Sequence, residues 1–303
     1  MSRYRDLGSF LLLCLIWGST WIGIKAGVAA VPPLFLAGSR FTTAGVILST
    51  MVVAREGWFV KRGDLPRLAV AALMMIAVCY GCLFWGMLFV DSGTAAVLEM
   101  GLTPVALLGF ALLLGEERGT LRKFLAIALG IGGLVVLFGP TAMVAWTAAD
   151  SNAGRRALGA IAVASAALAY GWGSVIARPL LRVYPAMLVS GATTLIGGMF
   201  LLAASFALEP GASDALRGNW GATAWAGWLF LVIFGSLVGY SIYMRLLRDI
   251  GASRAGMYAF VSPAIAVLLG AWAMGETVTR LDIVGMAILL VAAWLAMSKP
   301  ELA

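Results

Sequence analysis

The chain carries few groups able to do chemistry. It has no histidine, and its three cysteines, Cys14, Cys79 and Cys82, all sit in apolar runs, where a thiol packs as a small hydrophobe. Cys79-x-x-Cys82 has the spacing of half a zinc or redox motif, but no second pair completes it. No metal and no cofactor are therefore expected. With no nucleophile beside a base and no paired carboxylates at depth, an enzyme is not expected either. What stands out is a set of charges within or beside apolar runs: Lys25, Arg40 and Glu99, with Asp91 at the edge of one run. A charge in hydrocarbon costs roughly 2.5–3.5 kcal/mol on insertion scales and must face protein or water. Two readings are open. In one, Glu99 pairs with Lys25 or Arg40 in an outer gate, with Asp91 in the same charge network, or meets the ammonium of a zwitterionic substrate. In the other, Lys25 snorkels to the interface and the remaining two only tie helices together.

Aromatic residues supply the second candidate chemistry, a weakly polar cavity wall. Tyr80, Phe84 and Met87 follow an i, i+4, i+7 stripe, and Trp17 and Trp21 share a helical face. Tyr170, Trp172, Tyr240 and Tyr258 fall within other runs. A tyrosine deep in a membrane needs a partner for its hydroxyl, which favours a cavity over lipid. The candidate lining is thus Trp17, Trp21, Tyr80, Phe84, Glu99, Tyr170, Trp172, Tyr240 and Tyr258. Trp58, Trp146, Trp220 and Trp225 lie where interfacial anchors belong, and Tyr243 is a further anchor candidate near a run's end.

The elements that must position these residues follow from composition. With 62% hydrophobic and 12% charged residues among 303, the polar surface is too small to cover a soluble globule. The net charge of +7 falls in short loops rather than in a basic domain, so a lipid bilayer rather than nucleic acid is the expected partner. Apolar runs of about 20 residues predict ten spans, near 8–28, 34–54, 68–90, 94–114, 124–139, 157–177, 185–207, 225–244, 252–274 and 283–298. The first could be a signal peptide, but Trp17-Gly18-Ser19 recurs as Trp172-Gly173-Ser174, so it is expected to be a retained span. Among loop Lys and Arg, only Arg155, Arg156, Arg217 and Arg280 fall opposite the main set, which predicts both termini in the cytoplasm.

The repeat extends further. Thr103-Pro104 is answered by Ser262-Pro263, and Glu117 by Glu276. Five spans per copy, an odd number, make the copies enter the membrane from opposite faces, so the predicted fold is all-α, ten transmembrane helices in an inverted 5+5 repeat of residues 1–150 and 151–303. Each proline strips a hydrogen bond from mid-span, and paired interruptions at corresponding positions point to a transporter's central site. The expected hinges are Gly101, Thr103 and Pro104 in the fourth span, and Gly256, Ser262 and Pro263 in the ninth.

Trp17-Gly18-Ser19 with Lys25, Pro32-Pro33 with Arg40, and Thr103-Pro104 with Gly115-Glu116, echoed by Ser262-Pro263 and Gly275-Glu276, resemble the EamA-type family of the drug/metabolite transporter superfamily over nearly the whole chain. The resemblance implies a bacterial inner-membrane exporter of small metabolites, amino acids and particularly aromatic ones, working by alternating access around a cavity between the first, third, fourth, sixth, eighth and ninth helices. It leaves open a sugar-phosphate or nucleotide-sugar exchanger, which would need more inward cations than Lys25 and Arg40, and a passive channel. Arg40 has no basic counterpart in the seventh span, where AMLVSGATT follows Pro185. The oligomeric state is open, with a monomer sufficient.

Overall fold

A computed structural model describes residues 2–57, 60–90, 92–147, 153–274 and 278–297. All regular structure among them is helical, with no strand. The long segments are α1 (Ser2–Val28), α2 (Pro33–Glu56), α3 (Leu65–Ala72, a π-helical stretch Leu73–Val78, then Cys79–Gly86), α4 (Ser92–Leu113) and α5 (Leu121–Thr147). They continue with α6 (Ala153–Val183), α7 (Ala186–Leu208), α8 (Ala222–Phe230, a π-helical stretch Leu231–Val238, then Gly239–Asp249), α9 (Tyr258–Met274) and α10 (Arg280–Met297). A single turn, Ala252–Ala255, precedes α9, so the run expected at 252–274 is broken at Gly256 and Met257.

Eight of the predicted runs fall on helices long and apolar enough to cross a membrane; the run at 94–114 is represented by the shorter apolar stretch Leu98–Leu113. The run at 124–139 lies on α5. Large apolar side chains such as Leu121, Leu208 and Trp272 point outward, as a bilayer requires.

Lipid tails are as apolar as leucine, so helices associate through close packing at small residues. The most extensive contact is between α2 and α7. A Cβ built on Gly45 would lie 2.3 Å from the Leu195 nitrogen, and one on Gly198 would lie 2.5 Å from that of Thr42. Residues paired this way sum to 240, so the two helices run antiparallel with their backbones in near contact. α5 and α10 also pack antiparallel, with Gly133 against Leu289 and Gly285 against Leu137. By contrast, α1 runs parallel to α9, with Cys14 and Gly18 facing Ser262 and Ile265, and α4 runs parallel to α6, with Ala106 against Gly171 and Glu116 beside Arg178.

The two π-helical stretches are a feature the apolar pattern did not reveal. A π-turn inserts an extra residue into an α-helix, widens it and frees backbone groups, and such turns gather at functional sites. Leu73 and Leu231, where the stretches begin, stand at corresponding places in α3 and α8. Both stretches lead into the tyrosines that line the centre.

Candidate functional site

A cavity of about 110 Å³ lies among six of these helices plus α2. Trp17, Thr20 and Ile24 come from the second half of α1, Arg40 from the first half of α2, and Cys79, Tyr80, Leu83, Phe84 and Met87 from the end of α3. Glu99 and Met100 come from the first half of α4, and Tyr170, Gly235, Tyr240, Tyr258 and Ser262 from α6, α8 and α9. The cavity therefore lies between the middle of the bundle and the end where α1 and α3 stop and α2 and α4 start.

Its wall is an aromatic cluster hung on Trp17. That indole sits 4.5 Å from Tyr258 edge-on, 5.4 Å from Tyr240 and 5.3 Å from Tyr243, between ring centroids. Its Nε1–H donates to the Gly235 carbonyl at 3.2 Å, inside the π-helical stretch of α8. A carbonyl within the π-helical stretch thus accepts a hydrogen bond from α1. The hydroxyls of Tyr170 and Tyr240 stand near neighbouring tyrosines but meet no partner in good geometry among the described residues. A buried hydroxyl left this way costs free energy that a polar ligand or water would recover.

Arg40 is 4% exposed. Its guanidinium lies 4.3 Å from the Phe41 ring centroid and 5.3 Å from that of Tyr80, a cation–π arrangement. It forms no ion pair with Glu99, which faces the same cavity. The expected outer pair of Glu99 with Arg40 is therefore not made.

Six of the eight predicted wall aromatics, Trp17, Tyr80, Phe84, Tyr170, Tyr240 and Tyr258, meet at this cavity with Glu99. Trp172 does not. It packs against Phe110 at 5.0 Å, because two residues along a helix from Tyr170 is over half a turn away and faces another way. Tyr243 is corrected from an interfacial anchor to a fully buried residue, donating to Ser174 Oγ at 2.9 Å. The side chains of Trp21 and Lys25, and Asp91 altogether, lie outside the described residues. Besides Arg40 and Ser262, which were expected in other roles, Thr20, Ile24, Leu83, Met87, Met100, Cys79 and Gly235 complete the wall without having been singled out for it, apart from the aromatic-stripe position of Met87.

The hinge positions are buried around the same centre. Thr103 donates to the Glu99 carbonyl at 2.7 Å, one turn back, and Pro104 lies within a continuous α4. The Thr103 hydroxyl thus serves Glu99 rather than the Met100 carbonyl that Pro104 leaves without its N–H. Ser262 donates to the Cys14 carbonyl at 3.3 Å, joining α9 to α1, and Pro263 follows it in α9. Gly101 lies beside Leu134, while Gly256 stands at the break before α9, where a Cβ would come within 2.4 Å of Leu107 Cδ1.

The opposite end of the bundle is tied by charge. Glu117 accepts from Lys123 Nζ at 2.8 Å, from the Ser253 backbone at 3.1 Å and from Ser253 Oγ. Arg178 at the end of α6 lies 3.8 Å from Glu117 and 3.2 Å from Glu116, and Arg182 pairs with Glu116. Arg245 of α8 donates to Ser9 of α1 at this end too. Burial pushes the Glu117 carboxyl up, but the hydrogen bonds from Lys123 and Ser253 prevail and hold it below the usual carboxylate value. Glu117 therefore links the end of α4 to α5, α6 and the turn before α9.

The profile of the EamA-like transporter family matches the chain twice, over residues 7–139 and 157–298. An uncharacterized inner membrane transporter of Escherichia coli K12, YedA, is 29% identical over 296 residues, 96% of this chain and 91% of that one. The uncharacterized transporter YoaV of Bacillus subtilis is 27% identical over 277 residues, 89% of each chain. A solved structure titled "Crystal structure of protein" superposes with a TM-score of 0.77 over 97% of both chains at 19% identity, which shows a shared fold.

Proposed function

Because this chain belongs to the EamA-like transporter family and is a multi-pass membrane transporter, we propose that it exports small amphipathic metabolites across a bacterial inner membrane by alternating access, with amino acids, including aromatic ones, the favoured class. The observation that carries this reading is the central cavity, walled by helices from both matched stretches, displaced toward one end while the Glu117 network ties the other. The tied end carries the Lys- and Arg-rich loops, which orients it and both termini to the cytoplasm.

Residues 1–150 and 151–303 form, on this reading, two inverted halves of five spans each. The antiparallel pairing of α2 with α7 supports it, since these are the second helices of the two halves. So does the exchange relation among contacts: swapping the halves turns the α1–α9 pair into α6–α4 and returns α2–α7 and α5–α10 to themselves. Halves related in this way can trade conformations and so trade which side is open. The unpartnered tyrosine hydroxyls, the aromatic wall and Glu99 suit an amphipathic substrate with an amino group.

The test is counterflow in proteoliposomes with a panel of labelled amino acids, with and without a pH gradient. Accumulation of at least one labelled amino acid against an internal unlabelled pool is expected. No counterflow for any of them would remove amino acids as substrates.

A further inference from the structure

Arg40 has the wrong surroundings for a structural arginine. Although it is 4% exposed, none of its N–H groups meets a protein acceptor among the described residues, and no carboxylate pairs with it. Phe41 and Tyr80 cover it as ring neighbours at 4.3 and 5.3 Å, contacts that hold the planar group without using its in-plane donors. Gly235 stands next to it, since a Cβ there would lie at ordinary contact distance, 3.7 Å, from Nη1. The indole N–H of Trp17 is already engaged by the Gly235 carbonyl. Arg40 is thus the one cation among the described wall residues, and its donor fork is free.

Resting on the reading of this cavity as the substrate site, we infer that Arg40 is its carboxylate receptor and the residue that makes it select zwitterionic amino acids over the corresponding amines and amides. A guanidinium offers a planar fork of donors that fits a carboxylate bidentately. Glu99 faces the same cavity as the only carboxyl group among the described wall residues, so the wall carries one acidic and one basic side chain. A zwitterion presents a complementary group to each. An amine would leave Arg40 without a partner. The selectivity arises from one half alone, because the second half has no basic residue at the matching place after Pro185.

The experiment measures binding directly, by the ligand-induced rise in Tm of the purified full-length protein. The probes are phenylalanine, its amide and phenethylamine. The wild type is expected to bind the acid at least tenfold more tightly than the other two. Arg40→Gln is expected to erase that preference while leaving amine binding within about twofold, and Arg40→Lys to restore part of it. Phe41→Leu, which leaves Arg40 in place but removes one of the two rings that cover its guanidinium, is expected to weaken the acid more than the amine and serves should Arg40→Gln fail to accumulate. Equal binding of acid and amide by the wild type, a preference surviving in Arg40→Gln, or no binding of the acid at all would overturn the inference. Selective binding without counterflow would remove only the carrier reading and leave the role of Arg40 standing.

Discussion

Replacing Glu117 with Gln is expected to loosen the tied end of the bundle. The wild-type carboxylate takes hydrogen bonds from Lys123 at 2.8 Å and from Ser253 at 3.1 Å, with a further bond from Ser253 Oγ and Arg178 at 3.8 Å. Glutamine keeps one acceptor oxygen but loses the charge and offers Lys123 or Ser253 an N–H where an acceptor stood. A hydrogen bond to a charged group contributes about 1.5–3 kcal/mol, and the lower part of that range applies because Lys123 is partly solvated. These contacts join α4, α5, α6 and the turn before α9, which must separate for this end to open. A loss of about 2 kcal/mol from the closed state alone shifts the equilibrium by a factor of about 30. The reporter is a cysteine at Met257, buried just beyond the network, in a chain lacking Cys14, Cys79 and Cys82. Its alkylation in inside-out vesicles is expected to be roughly 10–30-fold faster with Glu117→Gln. The sign with pH follows from the lowered carboxyl of Glu117: its contribution is full above the ordinary carboxylate pKa and is lost as pH falls through the depressed value. Wild-type alkylation, corrected for thiolate fraction, is therefore expected to rise only in acid, and that of Glu117→Gln to stay flat. An unchanged rate at neutral pH would refute the latch.

Glu99→Gln is expected to impair transport far more than membrane accumulation, measured by counterflow against immunoblot level; normal transport would take Glu99 out of the mechanism. Gly45→Ala pushes a methyl to 2.3 Å from the Leu195 backbone and is expected to cost roughly 1–3 kcal/mol, read as a fall in Tm in detergent. Gly132→Ala, where a Cβ meets nothing within 4 Å, is expected to leave Tm unchanged or slightly higher, so equal losses would contradict the α2–α7 packing. Trp17→Phe removes the donor to the Gly235 carbonyl and is expected to lower substrate affinity, by titration of counterflow, while membrane level stays near wild type.

The helical membrane class could be read from the chain because long apolar runs between arginine-bearing loops admit few alternatives; α2 and α7 begin and end close to where those runs do, and α1 ends with its run but starts six residues earlier. The tyrosines could be read as well, since Tyr80, Tyr170, Tyr240 and Tyr258 each carry a hydroxyl that lipid would not accept. Thr20, Leu83 and Met100 could not. In a membrane helix, lipid and cavity are both apolar surroundings, so the hydrophobic pattern that separates core from water in soluble proteins does not distinguish the two faces. The π-helical stretches leave no mark because their residues, LMMIAV and LVIFGSLV, are ordinary for an α-helical span. In the sequence Glu117 shows only as the residue that Glu276 answers in the repeat; its bonds to Ser253 cross 136 residues of chain and depend on how α4 meets the turn before α9. Arg40 was visible as a charge in a span, while its aromatic seat and the want of a carboxylate or hydrogen-bond acceptor for it among the described residues are facts of packing.

The claim at the centre is that the cavity faces one side of the membrane at a time. A cysteine replacing Thr20 in the cavity wall, in the chain lacking the native cysteines, can be probed with an impermeant thiol reagent from each face of sealed vesicles. Reaction from the outer face is expected in the wild-type background, with reaction from the cytoplasmic face gained, and outer reaction lost to the same degree, when Glu117→Gln is added. Reaction from both faces together at undiminished rates would mean an open channel, and reaction from neither would mean a closed, filled centre; each would contradict the account.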